Sequence, residues 1–152
     1  LKARVEKARQ TAEKAGLAGK SYLFWFSSPS PSADAYVAGK NSASGYIATV
    51  LDGRNAVTNE TEWPTMSWES IIAPQPDVII VATLDRNRWE LDKPEAKIKY
   101  LTTDSATREM PAVKNGAIVV MDGSAMNPSV RTIYGAEQVA ESLAKKKSAA
   151  DK

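Results

Sequence analysis

Arg86, Arg88 and Trp89 stand within four positions of one another, and Arg131 follows further along the chain. A guanidinium offsets negative charge, forks onto anionic oxygens and stacks on flat rings. An indole adds a second flat face. This set suits holding an anionic or aromatic small molecule rather than breaking a bond. The plain alternative is a solvated loop, since arginines are mostly exposed. Arg131 has the same two readings: contact with a ligand, or a helix's first turn facing water. Tyr36 follows the run SSPSPS and is placed to reach a ligand. Trp63, just before Pro64, either lines a cleft or caps a sheet. Met126 and Tyr134 flank Arg131 and are secondary candidates.

The rest of the inventory removes most catalytic chemistry. The 152 residues include no His and no Cys. No thiolate nucleophile or imidazole base is available, and a zinc or copper site lacks its usual ligands. No metal site, catalytic residue or cofactor is expected. Asp85, Glu90, Asp92 and Glu95 could be paired as acids for hydrolysis, but acidic loops are common and nothing in the sequence raises a pKa among them. Ala18-Gly19-Lys20-Ser21 imitates the tail of a phosphate loop. The pattern needs Gly at position 14, where Lys14 stands, and it needs a strand before it and a helix after. Here the order is reversed. A net charge of +2, with charges interspersed except at 145–147, gives no footprint for nucleic acid. Asn59-Glu60-Thr61 matches a glycosylation acceptor, a pattern too frequent by chance to carry weight.

The elements that must position these residues alternate. Residues 1–16 carry Leu1, Val5, Ala8, Ala12 and Ala15 on one helical stripe, closed by Gly16 and Gly19. KSYLFWFS reads as a strand, with Trp25 in the core. SSPSPS is a loop, because its prolines fix φ and remove donors. A short edge strand over 35–38, a helix over 42–51 and a short strand over 55–57 follow. Residues 67–73 form a helix capped by Ser67, with Glu69 in its first turn and Trp68 beneath it. Residues 77–83 are a strand buried on both faces. The stretch 84–93 is a polar loop. Short helices cover 94–101 and 105–110, a strand 117–122 and a helix 130–146. The fold class is α/β: a three-layer, Rossmann-like lobe with a mostly parallel sheet of about four or five strands flanked by helices. Ligands of such sheets sit outside the strands' C-terminal ends. That points to the loops 28–36, 84–93 and 123–131. No apolar run approaches the ~18 residues of a membrane-spanning helix.

Two segments then stand out: SWESIIAPQPDVIIVA (67–82) and MPAVKNGAIVVMDG (110–123). Together they resemble the C-terminal lobe of the class III extracytoplasmic substrate-binding proteins, the receptors of ABC importers for ferric siderophores, haem and cobalamin. The resemblance covers about residues 22–143. It implies that 1–18 end an inter-lobe connecting helix, that 19–146 form the C-terminal lobe, and that 147–152 fray. It also implies a signal and an N-terminal lobe ahead of Leu1, and an extracytoplasmic location in the periplasm or as a cell-surface lipoprotein. The ligand would be a small metal chelate, first of all a ferric siderophore, held between the lobes. IIVATLDRNR resembles members that place a ligand-contacting Arg after this strand, without deciding between Arg86 and Arg88. AMNPSVRTIYGAEQ corresponds to a loop bordering the cleft. Glu69 matches the Glu that docks on the importer's membrane subunits, although it also complements its own helix N-terminus. Haem or cobalamin in the same fold is the first alternative. A small α/β hydrolase or nucleotide-binding enzyme is the second, and it lacks its nucleophile elbow and phosphate loop.

Overall fold

The computed structural model describes residues 2–14, 19–30, 33–39, 42, 47–48, 53–58, 60, 64–84, 89–122 and 142–143. Within these, apolar alternation decides the architecture. In β1 (Ser21–Ser27), Tyr22 and Phe24 face one layer while Leu23 and Trp25 face the other, and all four are fully buried. β5 (Val78–Thr83) divides the same way, with Ile80 and Ala82 on one face and Ile79 and Val81 on the other. Each such aliphatic side chain contributes about 1.5–3 kcal/mol through burial. A strand buried on both faces belongs inside a parallel sheet.

The sheet order is β4 (Thr65–Met66), β2 (Ala35–Val37), β1, β5 and β6 (Ile118–Asp122). β1 runs parallel to β5, and β5 to β6. β3 (Arg54–Asn55) pairs in parallel with the start of β1. β2 lies antiparallel to β1, and β4 antiparallel to β2. Among the described residues the expected sheet of about four or five strands has six. β3 overlaps the short strand expected over 55–57, whereas β4, two residues long and too short to carry a period of two, was not expected.

Helical elements cover both faces. Helical residues Ile47 and Ala48, together with Leu143, pack on the layer of Tyr22 and Phe24. The opposite layer holds α2 (Trp68–Ile72), α3 (Pro94–Thr103) and α4 (Pro111–Lys114), through Ile71, Leu101 and Ala112. α1 (Lys2–Lys14) occupies the expected N-terminal helix. Of the expected helix over 130–146, only 142–143 are among the described residues.

Local chemistry sets the boundaries. The Ser67 hydroxyl accepts the Ser70 amide at 3.3 Å and so caps α2, a motif worth about 1 kcal/mol. Pro74 and a left-handed Gln75 (φ 50°) then end that helix. The start of β5 is latched to the start of β1. The Ser21 amide donates to Asp77 Oδ2 at 3.0 Å, and the Asp77 amide donates to the Ser21 carbonyl at 3.0 Å. Pro94 opens α3 at its first position. Gly116, at φ 66°, turns the chain from α4 into β6.

Candidate functional site

Parallel strands carry their C-terminal ends to one edge of the sheet. Here that edge holds Ser27, Thr83 and Asp122, the last residues of β1, β5 and β6. The register places Tyr36 opposite Ser27, so β2 delivers Tyr36 to the same edge. Trp89 arrives from the other side, on the connection that leaves β5. The two rings stack, with centroids 5.7 Å apart and planes 18° apart. Both residues are half-buried, so the stacked pair keeps some surface in contact with solvent. Two residues singled out separately in the sequence are therefore brought together.

The floor beneath them is polar and closed. Ser27 and Ser28 are fully buried. Trp25 Nε1 donates to Ser28 Oγ at 3.0 Å, and Ser27 Oγ donates to Asp92 Oδ1 at 2.6 Å. These bonds explain how the start of SSPSPS holds a fixed path despite its prolines. Residues 90–92, read as part of a polar loop, instead form a 3-10 turn in which Leu91 and Asp92 are buried. Asp92 is therefore a structural tie and not a solvent-facing acid, which weakens the pairing with Glu90 and Glu95 that hydrolysis would require.

Alongside this edge a groove of about 650 Å³ opens between Pro29 and Ser30 on one side and Leu91, Lys93, Ala96 and Tyr100 on the other. Its charges are mixed. Lys93 lies 3.8 Å from Glu90 in an exposed ion pair of little energetic consequence. Burial, and then Asp104, push the Tyr100 phenol above its ordinary pKa.

Glu69 is exposed in the first turn of α2. The helix beneath it is held by aromatic packing. The Trp68 ring meets Trp25 edge-on at 4.7 Å and Tyr100 at 5.2 Å. Such aromatic pairs contribute about 0.5–1.5 kcal/mol each beyond simple burial. Arg86, Arg88, Trp63, Met126 and Arg131 lie outside the described residues, as does Tyr134. Among the described residues, no group of His, Cys, Asp or Glu could hold a metal ion, and no helix is long and apolar enough to cross a membrane. Lys97 is fully buried at this edge, and no local pattern marks it. A lysine between Ala96 and Ile98 on a helix looks like any solvated position.

Comparisons with known proteins agree with this geometry. A family model described as "Periplasmic binding protein" matches residues 1–125. The chain is 30% identical over 115 residues to an uncharacterized ABC transporter substrate-binding lipoprotein, YvrC, of Bacillus subtilis; the match covers 75% of this chain and 33% of the relative. Among solved structures, an ABC-type Fe3+-hydroxamate transport system protein from Saccharomonospora viridis superposes with a TM-score of 0.76 at 17% identity, covering 93% of this chain and 46% of that one. The periplasmic heme-binding protein RhuT from Roseiflexus gives 0.71 at 22% identity, with 96% and 53% covered. The vitamin B12 binding protein BtuF of Vibrio cholerae gives 0.68 at 19% identity, with 96% and 51% covered. At these identities the solved structures speak for the fold. The chain spans a third of its curated relative and about half of each of these structures.

Proposed function

This chain belongs to the periplasmic binding protein family, and on that premise we propose that it is the C-terminal lobe of a two-lobed receptor serving an ABC importer. The receptor binds and does not catalyse. Its ligand is a small metal chelate, first of all a ferric siderophore, held between the strands' C-terminal edge and an N-terminal lobe of the same parent chain. It works outside the cytoplasm, in the periplasm or anchored as a lipoprotein.

The stacked Tyr36–Trp89 pair at the ligand edge of the sheet is the observation that carries this reading. A flat face there suits an aromatic or conjugated chelate. Arg86 or Arg88, on the same connection as Trp89, and Arg131 offset the negative charge of a ferric catecholate. Trp63 and Met126 complete the proposed contact set. Glu69 docks the loaded receptor on the permease. An exposed carboxylate on a capped, aromatically anchored helix is a rigid handle for a partner's arginine, and such pairs set docking register and encounter rate.

The test is the affinity of the full receptor for a ferric tris-catecholate after changing Arg86, Arg88 and Arg131 together to Gln. Loss of three charge-assisted contacts should weaken binding by at least about a hundredfold. Unchanged affinity would place the cationic surface elsewhere. Haem and cobalamin, measured alongside, separate the same receptor with another ligand from the siderophore reading.

A further inference from the structure

Behind the stacked pair sits a buried polar cluster that the binding reading leaves unused. Ser27, Asp92 and Lys97 are all fully buried. Asp92 Oδ1 accepts from Ser27 Oγ at 2.6 Å, and Asp92 Oδ2 accepts from the Trp89 amide at 3.0 Å. Lys97 Nζ donates to the Ala82 carbonyl at 2.8 Å and to the Asp92 carbonyl at 3.4 Å, and it stands 6.0 Å from the centre of the Trp25 ring. Burying a carboxylate and an ammonium is costly, and apolar residues of the same size often pack as well or better. A cluster of this kind is favoured where it fixes geometry.

What these bonds fix is the segment bearing Trp89. Ser27 ends β1 and Ala82 lies in β5, two central strands that are buried over most of their length. Both strands are tied, through Asp92 and Lys97, to the turn at 89–92. Trp89 is tied directly, through its own amide. Its partner Tyr36 is held independently, by strand pairing opposite Ser27. We propose that Asp92 is a positioning residue of the ligand surface: its buried carboxylate, held by Ser27, grips the Trp89 amide and keeps the indole stacked on Tyr36, while Lys97 locks the same turn to β5. The ligand favoured by such a fixed pair has a rigid flat face, aromatic or conjugated. That consequence rests on the receptor reading; the positioning itself does not.

Two measurements separate them. In the 152-residue chain, Asp92→Asn keeps the shape but loses one acceptor. Amide exchange at 89–92 should accelerate at least about tenfold, the worth of one hydrogen bond to a charged group, while β1 and β5 stay protected. Ser27→Ala, a gentler change, should act in the same direction if the first variant folds poorly. In the full receptor, Asp92→Asn should weaken ferric tris-catecholate binding about tenfold. Combined with Trp89→Ala, it should cost no more than Trp89→Ala alone, because both act through one indole. Unchanged exchange at 89–92, or equal acceleration throughout β1 and β5, overturns the positioning role. So does a freed turn with unchanged affinity, or losses that multiply. If the unsubstituted receptor ignores the chelate, the receptor reading fails, and the exchange result still decides the positioning claim.

Discussion

Replacing Lys97 with Met isolates the worth of the buried cation. The two side chains have similar length, so little cavity is created. Two hydrogen bonds from the ammonium disappear, to the carbonyls of Ala82 and Asp92. Bonds to a charged group contribute roughly 1.5–3 kcal/mol, the longer of these two least. The approach to the Trp25 ring, at 6.0 Å, adds at most about 1 kcal/mol. Against this stands the desolvation relieved when the ammonium is removed. The loss also removes a buried positive charge that sits 3.4 Å from the Asp92 backbone carbonyl, in the same buried cluster as the Asp92 carboxylate. We expect Lys97→Met to destabilise the chain by about 3 kcal/mol. With a urea m-value of roughly 2 kcal/mol/M, the midpoint falls by about 1.5 M. The assay is equilibrium urea unfolding followed by circular dichroism. Asp92→Asn/Lys97→Met removes both charges and should be more stable than the sum of the single losses predicts, by at least about 1 kcal/mol. A midpoint within about 0.3 M of the parent for Lys97→Met, or strict additivity in the double variant, would refute the argument that the two charges depend on each other.

Two further perturbations follow from the same geometry. Glu69→Ala should leave ligand affinity and fold intact yet reduce uptake in a reconstituted importer by about tenfold or more, because the residue is exposed and the role proposed for it is docking alone; normal uptake would remove that role. The buried Tyr22 phenol is pushed well above its ordinary pKa near 10, first by burial and then by Asp77. Above pH 10 the unfolded chain sheds this proton while the folded chain keeps it, so stability falls as pH rises, at up to about 1.4 kcal/mol per pH unit. Tyr22→Phe should flatten that slope between pH 10 and 12 in thermal melts. It should also cost little at pH 7, since the Tyr22 hydroxyl is buried with no partner among the described residues.

What the sequence disclosed follows from physical contrast. β1 and β5 were legible because strands buried on both faces need near-continuous apolar runs, and β6 because it is an apolar run too, although Val120 on one of its faces is exposed. The α2 boundaries were legible because Ser67, Pro74 and Pro76 each act locally. β4 is held by a pairing partner distant in sequence and has no local signature, and β3 shares only Asn55 with the short strand expected over 55–57. Tyr36 and Trp89 could be singled out as aromatics on ligand-edge connections, but their stacking depends on the register of β2 against β1. The buried turn at 90–92 was hidden because Glu90, Asp92 and Lys93 look like solvated loop residues. Asp92 becomes structural only once Ser27 and the Trp89 amide reach it, and Lys97 only once β5 supplies a carbonyl beneath α3.

On the proposed reading, a flat, anionic chelate is held at the C-terminal edge of this sheet. Tryptophan fluorescence of the full receptor, titrated with ferric catecholate, ferric hydroxamate, haem and cobalamin, is the decisive measurement. Four tryptophans lie in this chain, and Trp89 stands at the proposed contact. Saturable quenching by a ferric siderophore is expected, and less of it when Trp89 is changed to Phe. The absence of a saturable response to all four ligands would rule out the proposed binding edge.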